Sequence, residues 1–355
     1  MWDKRMHLVM KECGFCPLEG SPGFFFHPLE GVEMIVYVDD FVLIAPPYLE
    51  DKIWKSLEDH ITFKDPSEVL NRFLGVSHHF NHLADGTVQM RREGNKYLQA
   101  IVNRYMQETG DKSLSYVPSP SLDDKVDEAN SSPGVMAASA SSHLMSILYI
   151  ARLCRADVVT VTSFLARRVA PGRWTINEDR RLKRLMQYIH HHFDLCLVHE
   201  LGPQDRQGAR LVYSPDAELG GDIYSTKATG GFWLHIESED GKHRWPISWS
   251  CKRAGHTSSS TADSETWFMI GSCETGLKKE VIPLLHQLEV SLGRLVLLQC
   301  REDNTQTIAA VRRGYSPALR HLKRHVNLGI GFTSEVFHPD HADPSAPQYW
   351  ASLVY

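Results

Sequence analysis

Two sets of acidic residues in the sequence have the type and spacing to bind divalent cations. The first is Asp39-Asp40, which lies between the apolar segments Met34 to Val38 and Phe41 to Ala45. Short apolar runs rich in Val and Ile predict buried strands, so the pattern predicts a hairpin with two carboxylates at its tip. Because a buried carboxylate is costly unless it is paired or metal-bound, Asp39 and Asp40 are candidate metal ligands. A simple Asp-Asp turn is the alternative.

The second set consists of Asp216, Glu265 and Asp303, which occur where predicted elements begin or end. Asp216 follows a strand, Glu265 lies in the first turns of a helix, and Asp303 follows an apolar strand. Carboxylates delivered in this way can converge, and such a cluster repels itself unless divalent cations neutralise it. Two Mg²⁺ (or Mn²⁺) ions held there can activate a water and stabilise the leaving oxygen at a phosphodiester. The alternative is that these acids are surface groups or helix caps, a common role for an Asp at the position of Asp303.

Two other groups of potential metal ligands have more ordinary explanations. Cys13 and Cys16 form a CxxC motif, but no second CxxC or His pair stands at zinc spacing, so both are interpreted as structural thiols. The run from His190 to His192 ends a predicted helix. Positive charge is favoured at a helix C-terminus, which indicates a capping role for these histidines.

The elements that must position these residues fall into five regions: 1–113, 114–142, 143–205, 206–335 and 336–355. Region 114–142 is rich in Ser, Pro, Ala and acids, which predicts a flexible linker. The next region has helical apolar periodicity, and 206–335 alternates strands with helices. The turn-rich last region predicts a frayed tail. The fold class expected from this order is α/β, with a mixed sheet flanked by helices.

Composition places the chain among globular proteins without membrane spans. It has 355 residues, of which 42% are hydrophobic and 23% charged, with a net charge of -5. No apolar run is long enough to cross a membrane, and seven scattered cysteines favour reduced thiols and an intracellular location. One predicted helix, Asn177 to His191, carries a basic side that could contact nucleic-acid phosphates. The candidate phosphate-binding residues are Arg180, Arg181, Lys183 and Arg184.

Several motifs, taken in order along the chain, resemble those of one family. Tyr37-Val38-Asp39-Asp40 resembles the YVDD box of reverse transcriptases, and Phe73-Leu74-Gly75-Val76 resembles the strand that follows it. Asp216 to Asp222, Ile247 to Lys252, Ser260 to Glu265 and Asp303-Asn304 resemble ribonuclease H motifs of copia-type elements. The chain therefore resembles the C-terminal part of a copia-type LTR retrotransposon Pol polyprotein, with reverse transcriptase followed by RNase H.

This resemblance implies a partial reverse-transcriptase palm, a helical thumb or connection, and an RNase H-like domain. Asp39 and Asp40 would be polymerase metal ligands, whereas Asp216, Glu265 and Asp303 would hold Mg²⁺ for cleavage of the RNA strand of a hybrid. The implied partners are an RNA–DNA hybrid or a template-primer. A cytoplasmic virus-like particle or the nucleus would be the location.

Three departures from the family pattern reduce the catalytic activity that we expect of this chain. The family's earlier polymerase Asp corresponds to a position before Met1, so we expect incomplete polymerase activity and an N-terminal polymerase segment as a partner. The segment Arg324-His325-Val326-Asn327 places Asn327 where the family has a further acid. The family's last strand and helix are not recognisable after this point. A catalytically decayed nucleic-acid-binding remnant, or a structural partner of an intact polymerase, is the alternative to an enzyme.

Overall fold

A computed structural model describes residues 2–122, 132–170, 172–270, 276–316, 324–338 and 351–355, with the side chains of 324–328 left out of the description. Within these ranges the chain forms helices and three sheets. The largest sheet is mixed and is flanked by helices. The predicted α/β class is therefore confirmed.

The N-terminal unit is an antiparallel sheet of order β1-β2-β3-β4. Its elements are α1 (Trp2–Glu12), β1 (Cys16–Pro17), β2 (Phe24–His27), β3 (Val32–Tyr37), β4 (Asp40–Ile44) and α2 (Pro47–Glu58). The apolar faces of both helices pack on one side of this sheet, where Met10, Met34 and Leu57 are fully buried.

A second antiparallel sheet, of order β5-β6-β7-β8, lies beside a helical core. Its elements are β5 (Arg72–Phe73), β6 (Val76–His82), β7 (Val88–Glu93), α3 (Asn95–Thr109), α4 (Ala140–Leu153), α5 (Val159–Ala166), α6 (Ile176–His191) and β8 (Leu197–Leu201). Leu98, Leu144 and Leu182 from three of the helices meet in this core. Helix α6 begins with a capping box between Thr175 and Glu178.

The five-stranded sheet has the order β11-β10-β9-β12-β13. Its unit contains α7 (Asp205–Gly208), β9 (Arg210–Glu218), β10 (Thr229–Glu237), β11 (Arg244–Arg253), α8 (Thr261–Ile270), α9 (Ile282–Leu292), β12 (Leu298–Arg301), α10 (Thr305–Arg313), α11 (Arg324–Phe337) and β13 (Ala351–Val354). Strands β9, β10 and β11 are antiparallel, whereas β9, β12 and β13 run parallel. Helix α8 packs against β9 and β10, which places its residues beside the central strand.

Two segments differ from the sequence prediction. The described ends of the predicted linker 114–142 are packed, because Leu114, Val117 and Met136 are buried in the helical core and α4 begins at Ala140. Residues 123–131 lie outside the described ranges. The predicted tail 336–355 ends in β13, which pairs in parallel with β12 and buries Leu353. Residues 339–350 also lie outside the described ranges. Long-range packing within the chain, which composition does not report, holds the described residues of both segments.

The hairpin that carries Asp39 and Asp40 is less buried than its apolar sequence predicts. Tyr37 pairs with Asp40, so Val38 and Asp39 form the turn and Asp40 begins β4. Both acids are exposed, and Tyr37 and Val38 retain 55% and 62% of their accessible surface. The prediction of two carboxylates at a buried tip is therefore wrong. One face of the hairpin is left open to solvent, so the carboxylates carry no burial cost that a metal would have to offset.

Among the described residues, no helix combines the length and apolar character needed to span a membrane.

Candidate metal centre

Three acids meet at one end of the five-stranded sheet. Asp216 lies near the end of β9, and Asp303 comes two residues after β12. Tyr213 and Cys300 are paired in these parallel neighbours, so both acids are three residues beyond a matched pair and lie at the same end of the sheet. Glu265 comes from α8, which packs on β9. Parallel pairing of two strands thus brings together residues that are far apart in sequence.

The three side chains are close enough to share a cation. One carboxylate oxygen from each of Asp216, Glu265 and Asp303 lies within 4.8 Å of the others. Asp216 and Asp303 are exposed, whereas Glu265 is only 3% exposed. The cluster therefore has a buried base and two solvent-facing carboxylates, an arrangement that a hard divalent cation can reach from solvent.

The electrostatics of Glu265 show the cost of this arrangement. Burial, followed by the negative charges of Glu302, Asp216 and Asp303, raises the pKa of Glu265 to about 8 from an ordinary value of 4.5. Its Oε2 atom is buried and has no hydrogen-bond partner among the described residues. An oxygen in this state is suited to a cation, because ligation would satisfy its lone pairs and offset the repulsion.

Glu302 is a fourth acid near the centre, and sequence reasoning missed it. It is 1% exposed, and burial with the nearby charges of Asp303 and Asp216 raises its pKa to about 7. Its Oε1 accepts a hydrogen bond of 2.9 Å from the backbone N–H of Asn304. Leu298 and Cys300 are buried on the same strand, so the two-residue period predicts an inward position for Glu302. Strand alternation was the signal that could have identified it.

Asn304 fixes the segment that carries Asp303. As the N-cap of α10, its Oδ1 accepts hydrogen bonds of 3.0 Å from the backbone N–H groups of Gln306 and Thr307. The helix therefore begins at Thr305 and not at Asp303. The alternative that Asp303 is itself the helix cap is wrong, because its neighbour performs that role.

Two other acids of the motif-bearing segments have structural partners instead. Asp222 is 3% exposed and forms an ion pair of 2.9 Å with Arg253. Asp263 is 1% exposed and accepts a hydrogen bond of 2.8 Å from the backbone N–H of Ser259. Both stabilise turns beside the centre without belonging to the group of three close carboxylates.

The other potential ligands considered from the sequence do not belong to this cluster. Asp39 and Asp40 belong to no cluster of three or more metal-ligating residues within the described ranges. Cys13 is buried and its thiol donates to the carbonyl of Ser56, whereas Cys16 is exposed. At the end of α6, His191 donates to the carbonyl of Leu114 at 2.7 Å. Asn327 lies on α11, and its side chain is outside the described part of the chain.

The predicted phosphate-binding side of α6 is largely engaged with the protein itself. Arg181 is 8% exposed and lies over the ring of Phe164, and Lys183 forms an ion pair of 3.0 Å with Asp111. Arg184 donates a hydrogen bond of 2.9 Å to the carbonyl of Ser119, and Arg180 is exposed. The phosphate-binding role of these four residues stays a prediction, but most of their charge stabilises the packing of α6.

Comparison with known proteins identifies a relative of this chain. The chain is 25% identical over 257 residues to the putative transposon Ty5-1 protein of Saccharomyces cerevisiae. The alignment covers 71% of this chain and 77% of that protein. The chain is a relative of retrotransposon proteins. The predicted relationship to retrotransposon Pol proteins is thus confirmed, although no protein-family model matches the chain.

A solved structure of a foamy viral protease-reverse transcriptase in complex with double-stranded DNA is also similar to this retrotransposon-related chain. The TM-score is 0.42 at 12% identity, over 99% of this chain and 48% of that one. The chain thus spans about half the length of the solved protein that it matches.

Proposed function

We propose that this chain is a Pol-type nuclease of a copia-type element that cleaves the RNA strand of an RNA–DNA hybrid with Mg²⁺ or Mn²⁺. The observation that carries the proposal is the convergence of Asp216, Glu265 and Asp303, with one oxygen of each within 4.8 Å of the others. Structural ion pairs do not account for this cluster, because its members are all acids.

The residues fit a divalent metal by their chemistry. Asp216, Glu265 and Asp303 supply oxygen donors, and the buried Oε2 of Glu265 has no partner in the described part of the chain. A bound Mg²⁺ or Mn²⁺ supplies activation of a water and stabilisation of the leaving oxygen at a phosphodiester. Phosphodiester cleavage is therefore the reaction class that this donor set supports.

Some groups of the protein fix the positions of the carboxylates, and others leave the cluster accessible from solvent. Glu265 is held by α8 in the protein interior, so its carboxylate is fixed in position, and the cap at Asn304 holds the segment of Asp303. Asp216 and Asp303 face solvent, where the backbone of a nucleic acid can approach them. The dependence on an RNA strand would arise from contacts with 2′-hydroxyl groups.

The test is cleavage of an end-labelled RNA–DNA hybrid with Mg²⁺, with Mn²⁺ and with EDTA. Wild type should cut the RNA strand only with metal, and Asp303→Asn should slow cleavage by about 100-fold or more because a metal ligand is weakened. Exposed Asp194 lies in the turn after α6 and offers a matched control, so Asp194→Asn should cut at the wild-type rate. Equal rates for Asp303→Asn and wild type would reject the proposal.

Asn327 supports a second candidate, a decayed remnant that binds nucleic acid without cutting it or pairs with an intact polymerase. An amide is a poorer Mg²⁺ ligand than the acid that the family pattern places there. Binding without cleavage by wild type would favour this candidate. If weak metal binding alone limits the enzyme, Asn327→Asp should raise the cleavage rate, and an unchanged rate would discard that explanation.

Polymerisation is not part of the proposal for this chain alone. Asp39 and Asp40 are exposed on the hairpin, and no third metal-ligating residue completes a cluster with them among the described residues. Two carboxylates without a third provide few ligands for a pair of metal ions.

A further inference from the structure

A basic groove lies between the helices α4 and α5 and the edge strand β11. It has a volume of about 630 Å³. Its lining includes the cationic residues Arg152, Arg167, Lys227, Lys252 and Arg253, and no Asp or Glu of the described chain lines it. Trp249 fixes the wall between helix and sheet by donating a hydrogen bond of 2.9 Å from its indole N–H to the carbonyl of Ala151. The groove is thus built from segments that are distant in sequence and firmly joined.

The contacts of the groove's described residues leave positive charge at Lys227 and at Arg167. Asp222 pairs with Arg253 at 2.9 Å, and Lys227 donates to the carbonyl of Gly255 at 2.9 Å, which leaves the lysine charge in place. Arg167 lines the cavity with a buried Nη1 that has no hydrogen-bond partner among the described residues. A buried donor without an acceptor is costly, so an anion in the groove would relieve that cost.

The register of the sheet connects the groove to the carboxylate cluster. Cys251, which lines the groove, pairs with Gly231, and Gly231 pairs with Asp216 on the next strand. Two strand spacings amount to about 10 Å, a distance comparable to one or two steps along a nucleic-acid backbone. Gly231, which lies between the two on β10, has no side chain, and the backbone of β11 approaches it closely, so that a Cβ there would lie 1.7 Å from the carbonyl oxygen of Ser250. At this register β10 therefore places no side chain between Cys251 and Asp216.

We propose that this groove binds backbone phosphates of the nucleic acid whose scissile bond lies at Asp216, Glu265 and Asp303. That the bound phosphates belong to a nuclease substrate rests on the proposed function, whereas phosphate binding in the groove does not. Guanidinium and ammonium groups around a cavity that no acid lines favour phosphate, and the register that joins the groove to the cluster at about 10 Å favours a polymer with regularly spaced phosphates over a small anion. The residues differ from the basic side of α6, most of whose charges already have partners within the protein.

The test is binding of a labelled RNA–DNA hybrid in EDTA, measured over a range of salt concentrations. In the variant Arg152→Gln/Arg167→Gln, affinity should fall by about tenfold and the slope of log affinity against log salt should flatten by about 2, one for each lost phosphate contact. Lys279→Gln/Arg312→Gln is the matched control, because it removes two exposed cations of the same unit outside the groove. The control should keep the wild-type slope.

A single variant and a competition experiment complete the test. Arg152 is exposed, so Arg152→Gln alone should fold normally and flatten the slope by about 1. Equal slopes for the groove variants and wild type, or an equal loss in the control pair, would overturn the proposal. Displacement of the hybrid by inorganic phosphate, beyond that caused by chloride of equal ionic strength, in wild type but not in the groove variant would support phosphate binding in the groove. Wild-type cleavage is measured separately, so a binding groove without nuclease activity, and a nuclease without this groove, give different results.

Discussion

Neutralising Asp303 should have opposite effects on the protein with and without metal. In EDTA, Asp303→Asn removes one of three carboxylates whose oxygens lie within 4.8 Å of each other, so the free energy of unfolding should rise. With Mg²⁺, the same change removes a ligand, so the stabilisation that metal gives by binding the folded state should shrink. A substitution that acts only on packing would change the free energy of unfolding in the same direction with and without a chelator.

The size of the effect follows from the separation of the charges. Two unit charges at 4.8 Å repel by about 1 kcal/mol in water and by about 3.5 kcal/mol at the effective dielectric near a protein surface. Because Asp303 is exposed and Glu265 is buried, we expect a gain of about 1 to 3 kcal/mol in EDTA. The gain should be largest above about pH 8, where Glu265 is ionised.

Urea unfolding followed by circular dichroism measures both effects, at high pH, in EDTA and in Mg²⁺. Asp194→Asn is the control, since Asp194 is exposed and outside the cluster, and its stability should stay within about 0.5 kcal/mol of wild type. If Asp303→Asn left the stability in EDTA unchanged or reduced it, the three carboxylates would not repel one another. The placement of a metal centre at the end of β9 and β12 would then be wrong.

Three further predictions concern the same elements and the hairpin. In EDTA, folded Glu265 keeps its proton up to about pH 8 whereas the unfolded chain loses it near 4.5, so stability should fall as pH rises through this window, which urea titrations at several pH values measure. Asn304→Ala should cost about 1 kcal/mol by loss of the cap of α10, and Asn304→Ser, which caps without adding charge, should restore it in thermal melts. Val38 has a φ of 58°, so Val38→Gly should raise the melting temperature, and a lower one would show that chain entropy outweighs strain.

The convergence of the acids could be expected from sequence because each lies at an element boundary. Asp216 lies near the end of one strand and Asp303 just after another, and parallel strands bring the residues at their ends to the same edge of a sheet. Glu265 lies in a helix that follows a run of Ser and Thr, and a helix connecting two such strands packs on the sheet. Local patterns therefore carried enough information to place three side chains near one point.

Long-range pairing explains what the sequence did not reveal. Strand β13 pairs with β12, which lies about 50 residues earlier in the sequence. Its Ala-Ser-Leu-Val segment is too short to predict a strand by itself. The basic groove combines Arg152 of α4, Arg167 just after α5, and Lys252 and Arg253 of β11, so no local charge run marks it. By contrast, the dense charges on α6 did form a visible run, yet several of them have intramolecular partners.

The cost of the acidic cluster also bears on the choice between an enzyme and a decayed remnant. In the metal-free fold, a neutral side chain at Asp216, Glu265 or Asp303 would lower repulsion around a carboxylate that is only 3% exposed. A chain with no need for metal would gain stability from such a substitution, and neutralising changes would be retained. All three acids are present, together with a cap that holds Asp303 in position. This combination favours a chain that still gains from binding a divalent cation, and it makes the nuclease the first activity to test.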